Sequence, residues 1–418
     1  MKLIKNFFTS PANYILTFAK WVGFSVVMGV LGGVLGSVFH LLIDYATHIR
    51  TDYPRIILFL PLAGVFIALL YSICKRFGKL DTNRIIKAVL EKESVPFVLI
   101  PLIFVSTVIT HLFGGSAGRE GAALQLGGGL GYRVGKLFRL GKHDTRIIIM
   151  TGMSSVFTAL FGTPLTASVF SIEVSSVGIM HYTAFFPCLL SSIIASEIQK
   201  LFGLSPVKFN LEFARSINFE TVAKAAVIAI LCALVSIAFC LAVKYSEKYF
   251  KKFFANLYMR ALVGGAIIVV LTAICGTYDY NGAGMDIVEK AFAGNVRWEA
   301  FILKIVFTAI TIGAGFKGGE IVPAFFVGST FGALAASIIG FDVPLGAAIG
   351  FVTLFCCVVN CPLASVMLAF EVFGGDSLII FALCCAIGYV MSGNYGLYKS
   401  QKIVYSKLNE RYADVNAK

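Results

Sequence analysis

Two acidic residues stand where this sequence could do chemistry. Glu120 follows Arg119 inside the glycine-rich stretch "GGSAGREGAALQLGGG", residues 114–129, and Glu320 ends "GFKGGE" just before the apolar run "IVPAFF". At both places a glycine-rich break gives way to a segment that reads as a helix. A helix starting there leaves its first N–H groups without intrahelical partners, and those amides together with the helix dipole attract an anion. Glycine lets a ligand approach the backbone with no side chain in the way. An ionised carboxylate at such a helix start competes with an anion for the same amides, and once protonated it can swing aside. Glu120 therefore has the chemistry of a gate and a proton carrier combined. The structural alternative is an Arg119–Glu120 ion pair that only fixes the loop.

The elements that must position these residues are set by composition. The 418 residues are 58% hydrophobic and 14% charged, with a mean hydropathy of +0.86. A soluble domain carries about a quarter charged residues, so a bilayer is the solvent that suits this chain. Apolar runs near the ~20 residues of a spanning helix recur at 22–43, 56–73, 95–113, 222–243, 262–275 and 377–391. We expect an all-α polytopic membrane protein with about 10 to 16 membrane helices, some too short to cross. Lys2 and Lys5 precede a first run too long for a secretory signal, which reads as a retained helix. Inside a membrane, ionisable residues mark ion or proton paths. A full positive charge would trap a permeating ion, so Arg119 is expected to be structural, turned toward carbonyls.

The net charge of +13 lies in short connections rather than in an arm or separate domain, which argues against nucleic acid as a partner. Lys75, Arg76, Lys79, Arg84 and Lys87 form one cluster, Arg133 to Arg146 a second, and Lys244 to Arg260 a third. The positive-inside rule places these in the cytoplasm. The connection 276–299, with Asp279, Asp286, Glu289 and Glu299 against Lys290 and Arg297, belongs outside. The ten cysteines are scattered, and Cys356, Cys357 and Cys361 lack histidine or acidic companions. They read as small buried hydrophobes, with no metal site and no cofactor implied.

The second half repeats the punctuation of the first. Gly118, Gly127 and Gly131 are spaced by nine and four, as are Gly319, Gly328 and Gly332. Gly152, Pro164 and Glu173 are spaced by twelve and nine, as are Gly350, Pro362 and Glu371. The two offsets, 201 and 198, agree within a short insertion. A two-fold repeat in a polytopic chain is typical of transporters, usually with inverted topology and a substrate site where the halves meet. The competing reading is that glycines recur because they let membrane helices pack closely. The expected halves are residues 14–205 and 215–398 of a single transmembrane transport domain spanning 1–418.

With these residues in hand, the chain resembles the CLC family of chloride channels and proton-coupled anion antiporters. "GREG" at 118–121 resembles the gating-glutamate motif, with Ala122 where proline is usual, and "GGEIVP" at 318–323 resembles the second pore motif, with Ile321 in place of phenylalanine. "GTPL" at 162–165, "NCPL" at 360–363 and "NYGLYKSQ" at 394–401 match further family segments in the right order. The resemblance implies the CLC-type fold, with inverted repeats and helices broken at the pore. It makes Glu120 the external gate. Amides around Gly121, Ala122, Glu320 and Ile321 would line the anion path, and the hydroxyl of Tyr398 would donate to a central anion. It also implies a homodimer with one pore per subunit, in the cell membrane.

Three departures narrow this. "DTNRI" at 81–85 stands where chloride-selective members carry a serine loop, so Thr82 or Asn83 would replace the serine donor. The internal proton-transfer glutamate of coupled chloride exchangers aligns with Val174, beside Glu173. Glu320 is an acid where most members are apolar, and could carry protons in place of the missing glutamate. These features resemble the bacterial branch that exports fluoride in exchange for protons. Glu173 and Glu371 read as helix-end or interface carboxylates, and His40 and His111 as buried, bonded histidines. With 20 residues after Tyr398, no cytoplasmic regulatory domain is expected. A chloride channel or chloride/proton exchanger of the same fold is the alternative. A membrane enzyme using Arg119 and Glu120 finds no H-x-x-x-H, G-x-S-x-G or Walker loop to serve it.

Overall fold

The computed structural model describes residues 11–418 apart from 92, 210, 212–217, 296 and 410; Lys2, Lys5 and position 215 lie outside the described residues. The first half carries α1 (Pro11–Asp52), α2 (Leu60–Ile73), α3 (Thr82–Leu90), α4 (Leu99–Leu112), α5 (Glu120–Leu137), α6 (Lys142–Phe161), α7 (Pro164–Glu173) and α8 (Phe185–Leu201). The second carries α9 (Phe219–Phe253), α10 (Leu257–Cys275), α11 (Met285–Phe292), α12 (Ala300–Ala314), α13 (Ile321–Ile339), α14 (Val343–Val359), α15 (Pro362–Phe373) and α16 (Leu378–Met391). Among the described residues six segments are long and apolar enough to cross a bilayer, and α4, α12, α14, α15 and α16 are shorter apolar helices. The apolar run 22–43 is only the middle of α1, which spans 42 residues.

The repeated glycines have a steric reason. A Cβ on Gly127 would fall 2.2 Å from the Gly152 carbonyl oxygen, and one on Gly131 2.2 Å from that of Ile148. In the second half, a Cβ on Gly328 would fall 2.2 Å from the Gly350 oxygen and one on Gly332 2.2 Å from that of Gly346. Backbone thus meets backbone along α5–α6 and again along α13–α14. Both readings of the glycines hold: they permit close packing, and they do so at equivalent places in two repeats. The repeats match at helix ends as well. Gly162 closes α6 at φ 70° and Asn360 closes α14 at φ 56°. Both are left-handed, a conformation open to glycine and tolerated by asparagine.

Three of the contacts between the halves follow the repeat. Gly118 and Gly319 form an isolated antiparallel bridge, each N–H donating to the other's carbonyl at 2.7 and 2.6 Å. Glu371 at the end of α15 accepts from the N–H groups of Leu165 and Thr166, both at 2.8 Å, and from the Thr166 hydroxyl at 2.7 Å. Reciprocally, Glu173 at the end of α7 accepts from the N–H groups of Leu363 at 3.3 Å and Ala364 at 2.9 Å. Each carboxylate caps the other half's helix start, where negative charge is favoured. Between them lies a phenylalanine core: Phe325 stacks on Phe351 at 4.0 Å and meets Phe161 at 5.8 Å, and Phe170 meets Phe355 at 5.7 Å.

The all-α expectation needs one amendment. β1 (Ser176–Val177), β2 (Lys402–Tyr405) and β3 (Tyr412–Asn416) form a small sheet, β2 pairing parallel with β1 and antiparallel with β3. Gln401 anchors it, donating to the carbonyls of Val174 at 2.9 Å and Val359 at 2.7 Å.

Candidate anion pathway

The Gly118–Gly319 bridge puts the starts of α5 and α13 side by side, because each helix begins two residues after its bridging glycine. A Cβ on Gly319 would lie 2.5 Å from the Gly121 nitrogen and 3.1 Å from that of Glu120. Nothing larger than glycine fits at this crossing. The first intrahelical bonds are Ala123 N–H to Arg119 and Ala324 N–H to Glu320. The amides of Gly121, Ala122 and Ile321 therefore precede the hydrogen-bonded ladder of their helices.

Glu120 is fully buried at the first position of α5. Its Oε2 accepts from the Arg119 N–H at 3.0 Å and folds back over Gly118, while Oε1 is buried without a hydrogen-bond partner among the described residues. The Arg119 guanidinium is turned elsewhere. Its Nη1 donates to Asp44 at 3.0 Å and its Nη2 to the Leu160 carbonyl at 3.4 Å, leaving Nε 3.9 Å from Glu120. Arg119 is held structurally, as the reasoning about full charges expects, and it stands too far from Glu120 for a hydrogen-bonded ion pair. His40 contacts the other Asp44 oxygen at 3.1 Å, and His111 bonds the Thr107 carbonyl at 2.9 Å.

Two cavities approach this crossing. One, of about 630 Å³, is lined by Arg119, Glu120 and Val322 together with Asp44, Asp279 and Asp286. It lies on the side of the acidic connection assigned to the outside. The other, of about 510 Å³, is lined by Glu320, Thr82, Asn83 and Tyr398 and by Lys79, Arg84, Lys87, Lys244 and Lys251. Those basic residues belong to the clusters assigned to the cytoplasm, although Arg84 and Lys87 lie in α3 and Lys244 and Lys251 near the end of α9 rather than in connections. Glu120 thus faces one vestibule and Glu320 the other.

The candidate residues separate on closer view. Glu320 is half-buried at the start of α13, and its Oε2 would lie 3.6 Å from a Cβ on Gly121. Tyr398 is 2% exposed and its hydroxyl is buried without a partner among the described residues. Thr82 and Asn83 differ in use. The Thr82 hydroxyl donates to the Gly121 carbonyl at 3.3 Å and accepts from Gln125 at 3.0 Å. Asn83 accepts from the Ser400 N–H at 2.9 Å through Oδ1, and its amide N–H groups have no acceptor among the described residues. Gln125 escapes sequence reasoning, as a lone polar residue one turn into an apolar helix. So does Lys304, fully buried and donating to the carbonyls of Gly282 at 2.7 Å and Tyr280 at 3.2 Å.

Comparison with known proteins agrees with this geometry. The family model described as "Voltage gated chloride channel" matches residues 67–393. A chloride/fluoride channel protein of Pseudomonas syringae pv. tomato is 32% identical over 396 residues, covering 93% of this chain and 88% of its own length. An H(+)/Cl(-) exchange transporter of Vibrio cholerae is 22% identical over 420 residues, covering 93% of this chain and 88% of its own. The crystal structure of a CLC-type fluoride/proton antiporter superposes with a TM-score of 0.90 at 30% identity, over 94% of this chain and 100% of that one. Paired glycine loops, exchanged carboxylates and these matches lead to one assignment: the chain is a multi-pass membrane protein with the CLC fold and belongs to the CLC family of anion transport proteins.

Proposed function

We propose that this protein exchanges fluoride for protons across the cell membrane, as one transport unit with halves near 14–205 and 215–398. The observation that carries this reading is the crossing of two helix starts at the Gly118–Gly319 bridge, with one acidic side chain facing each vestibule. Glu120 is the gate and the outer proton carrier. Glu320 is the inner proton carrier, standing in for the internal glutamate that other exchangers place where Val174 is found. The amides of Gly121, Ala122 and Ile321, the Tyr398 hydroxyl and the Asn83 amide are the donors for the anion, with Thr82 holding the Gly121 carbonyl in place. Fluoride is small and accepts hydrogen bonds more strongly than chloride, so a pathway of neutral donors suits it without a fixed charge to trap it. The names of the fluoride-handling relatives support the same substrate. By family resemblance the protein works as a homodimer with one pathway per subunit.

The test is paired fluoride and chloride efflux from proteoliposomes with a pH indicator present. Fluoride efflux should drive proton movement in the opposite direction, and Glu120→Gln should abolish the proton movement. Equal fluxes of the two halides would remove the fluoride assignment. A reversal potential that ignores an imposed pH gradient would instead support the channel alternative.

A further inference from the structure

The vestibule on the cytoplasmic side holds three donors that the pathway above does not use. Lys317 lies three residues before Glu320. Its ammonium sits 4.3 Å from the ring centroid of Tyr71, and it has neither a carboxylate within salt-bridge reach nor a hydrogen-bond acceptor among the described residues. Among the described residues the Tyr71 hydroxyl is buried and unpartnered, and so is Nε of Arg260. Lys317 comes from the loop before α13, Tyr71 from α2 and Arg260 from α10, yet all three line the same cavity as Glu320 and Tyr398. Their neighbours are different. Arg84 is spent on the carbonyls of Ser94, Phe77 and Lys79, and Lys251 and Lys399 are paired with Glu247. The nearby Asp81 is committed to the Arg84 N–H at the start of α3. Lys317 is half-buried, whereas the Tyr71 hydroxyl and Arg260 Nε are buried donors without acceptors among the described residues, which costs stability and calls for an explanation, such as a ligand that supplies the acceptor.

We propose that Lys317, Tyr71 and Arg260 form a cytoplasmic loading site for a small monovalent anion, fluoride above all, ahead of the pore amides. The proposal rests on the transport reading and adds a binding site to it. Tyr71 fixes the ammonium of Lys317 by a cation–π contact and offers its hydroxyl as a second donor. Arg260 adds charge that concentrates anions at the pore mouth. In the wide vestibule full charges draw an anion in without binding it too tightly to leave, which they would do at the narrow crossing.

Initial fluoride efflux rates against internal fluoride concentration test this in proteoliposomes. Tyr71→Phe keeps the ring and the cation–π contact and deletes only the hydroxyl. It should raise the half-saturating fluoride concentration roughly threefold to tenfold while keeping the rate at saturation. Lys317→Gln should raise it further, and Lys317→Arg should restore much of the loss. Unchanged half-saturation in both Tyr71→Phe and Lys317→Gln overturns the site, as does a fall in saturating rate alone. If Lys317→Gln does not fold, Tyr71→Phe decides by itself. If the wild type moves no fluoride, the transport reading fails separately. Calorimetric titration of the purified protein with sodium fluoride then decides the site, which predicts weaker binding in Tyr71→Phe and is overturned by equal binding.

Discussion

Replacing Glu371 by glutamine tests whether the exchanged carboxylates hold the halves together. Oε2 of Glu371 accepts two hydrogen bonds and Oε1 one, all between 2.7 and 2.8 Å. A glutamine can present oxygen to only one side, so its NH2 must face at least one donor at the start of α7. That loses a bond to a charged group, about 1.5–3 kcal/mol, and leaves one half-buried donor facing another, for a total of about 2–4 kcal/mol. Glu173 makes two bonds, one of them at 3.3 Å, so Glu173→Gln should cost about half as much. The assay is thermal unfolding in detergent followed by a thiol-reactive fluorophore, because eight of the ten cysteines are buried and become reactive on unfolding. Glu371→Gln should unfold several degrees below the wild type and Glu173→Gln between the two. Both variants, once folded, should keep proton coupling, since their carboxylates are caps. Unfolding within a degree of wild type for both, a larger loss for Glu173→Gln, or uncoupling by Glu173→Gln would refute the reasoning.

Gly319→Ala places a methyl group 2.5 Å from the Gly121 nitrogen and covers the amides assigned to the anion, so efflux should fall at least about tenfold with an overpacking cost of about 1–3 kcal/mol. Gly23→Ala, on the exposed side of α1 with nothing within 4 Å, should leave efflux and stability near wild type; equal effects of the two in efflux assays would refute the crossing as the site. In the C-terminal segment, burial pushes the Lys407 ammonium down from 10.5 to about 8. Folding then carries the cost of that charge below about pH 8 and sheds it as pH rises toward 10.5. Unfolding temperatures measured across that range should show the wild type gaining on Lys407→Met, and a constant difference would refute it.

Much of the site is legible in the sequence because its requirements are local. The glycine intervals record where backbone meets backbone, and "GREG" and "GGE" record helices that begin beside open amides. Position in the repeat also foretells that Glu173 and Glu371 play matching parts. What the sequence hides depends on contacts between distant segments. The Asp44 that takes Arg119 lies 75 residues away, and the Ser400 N–H that occupies Asn83 lies 317 residues away. Lys304 shows no pattern in its own helix, because its acceptors belong to the loop before α11. The short strands at 176–177, 402–405 and 412–416 form their sheet only when the first meets the second across the chain, so no segment alone carries an alternating signal long enough to read.

The carbonyl-to-glycine seams along α5–α6 and α13–α14 limit how this protein can work. Helices whose main chains touch at two successive turns have no slack for sliding or rotation, since any shift drives an oxygen into a neighbouring α-carbon. The scaffold around the crossing then behaves as a fixed frame. In the proposed exchange cycle, opening toward one side of the bilayer or the other falls to parts outside the seams, such as the Glu120 side chain. Each seam lies within one half, so it fixes the helix pair beside that half's glycine loop and leaves any rearrangement to side chains and to the contacts between the halves.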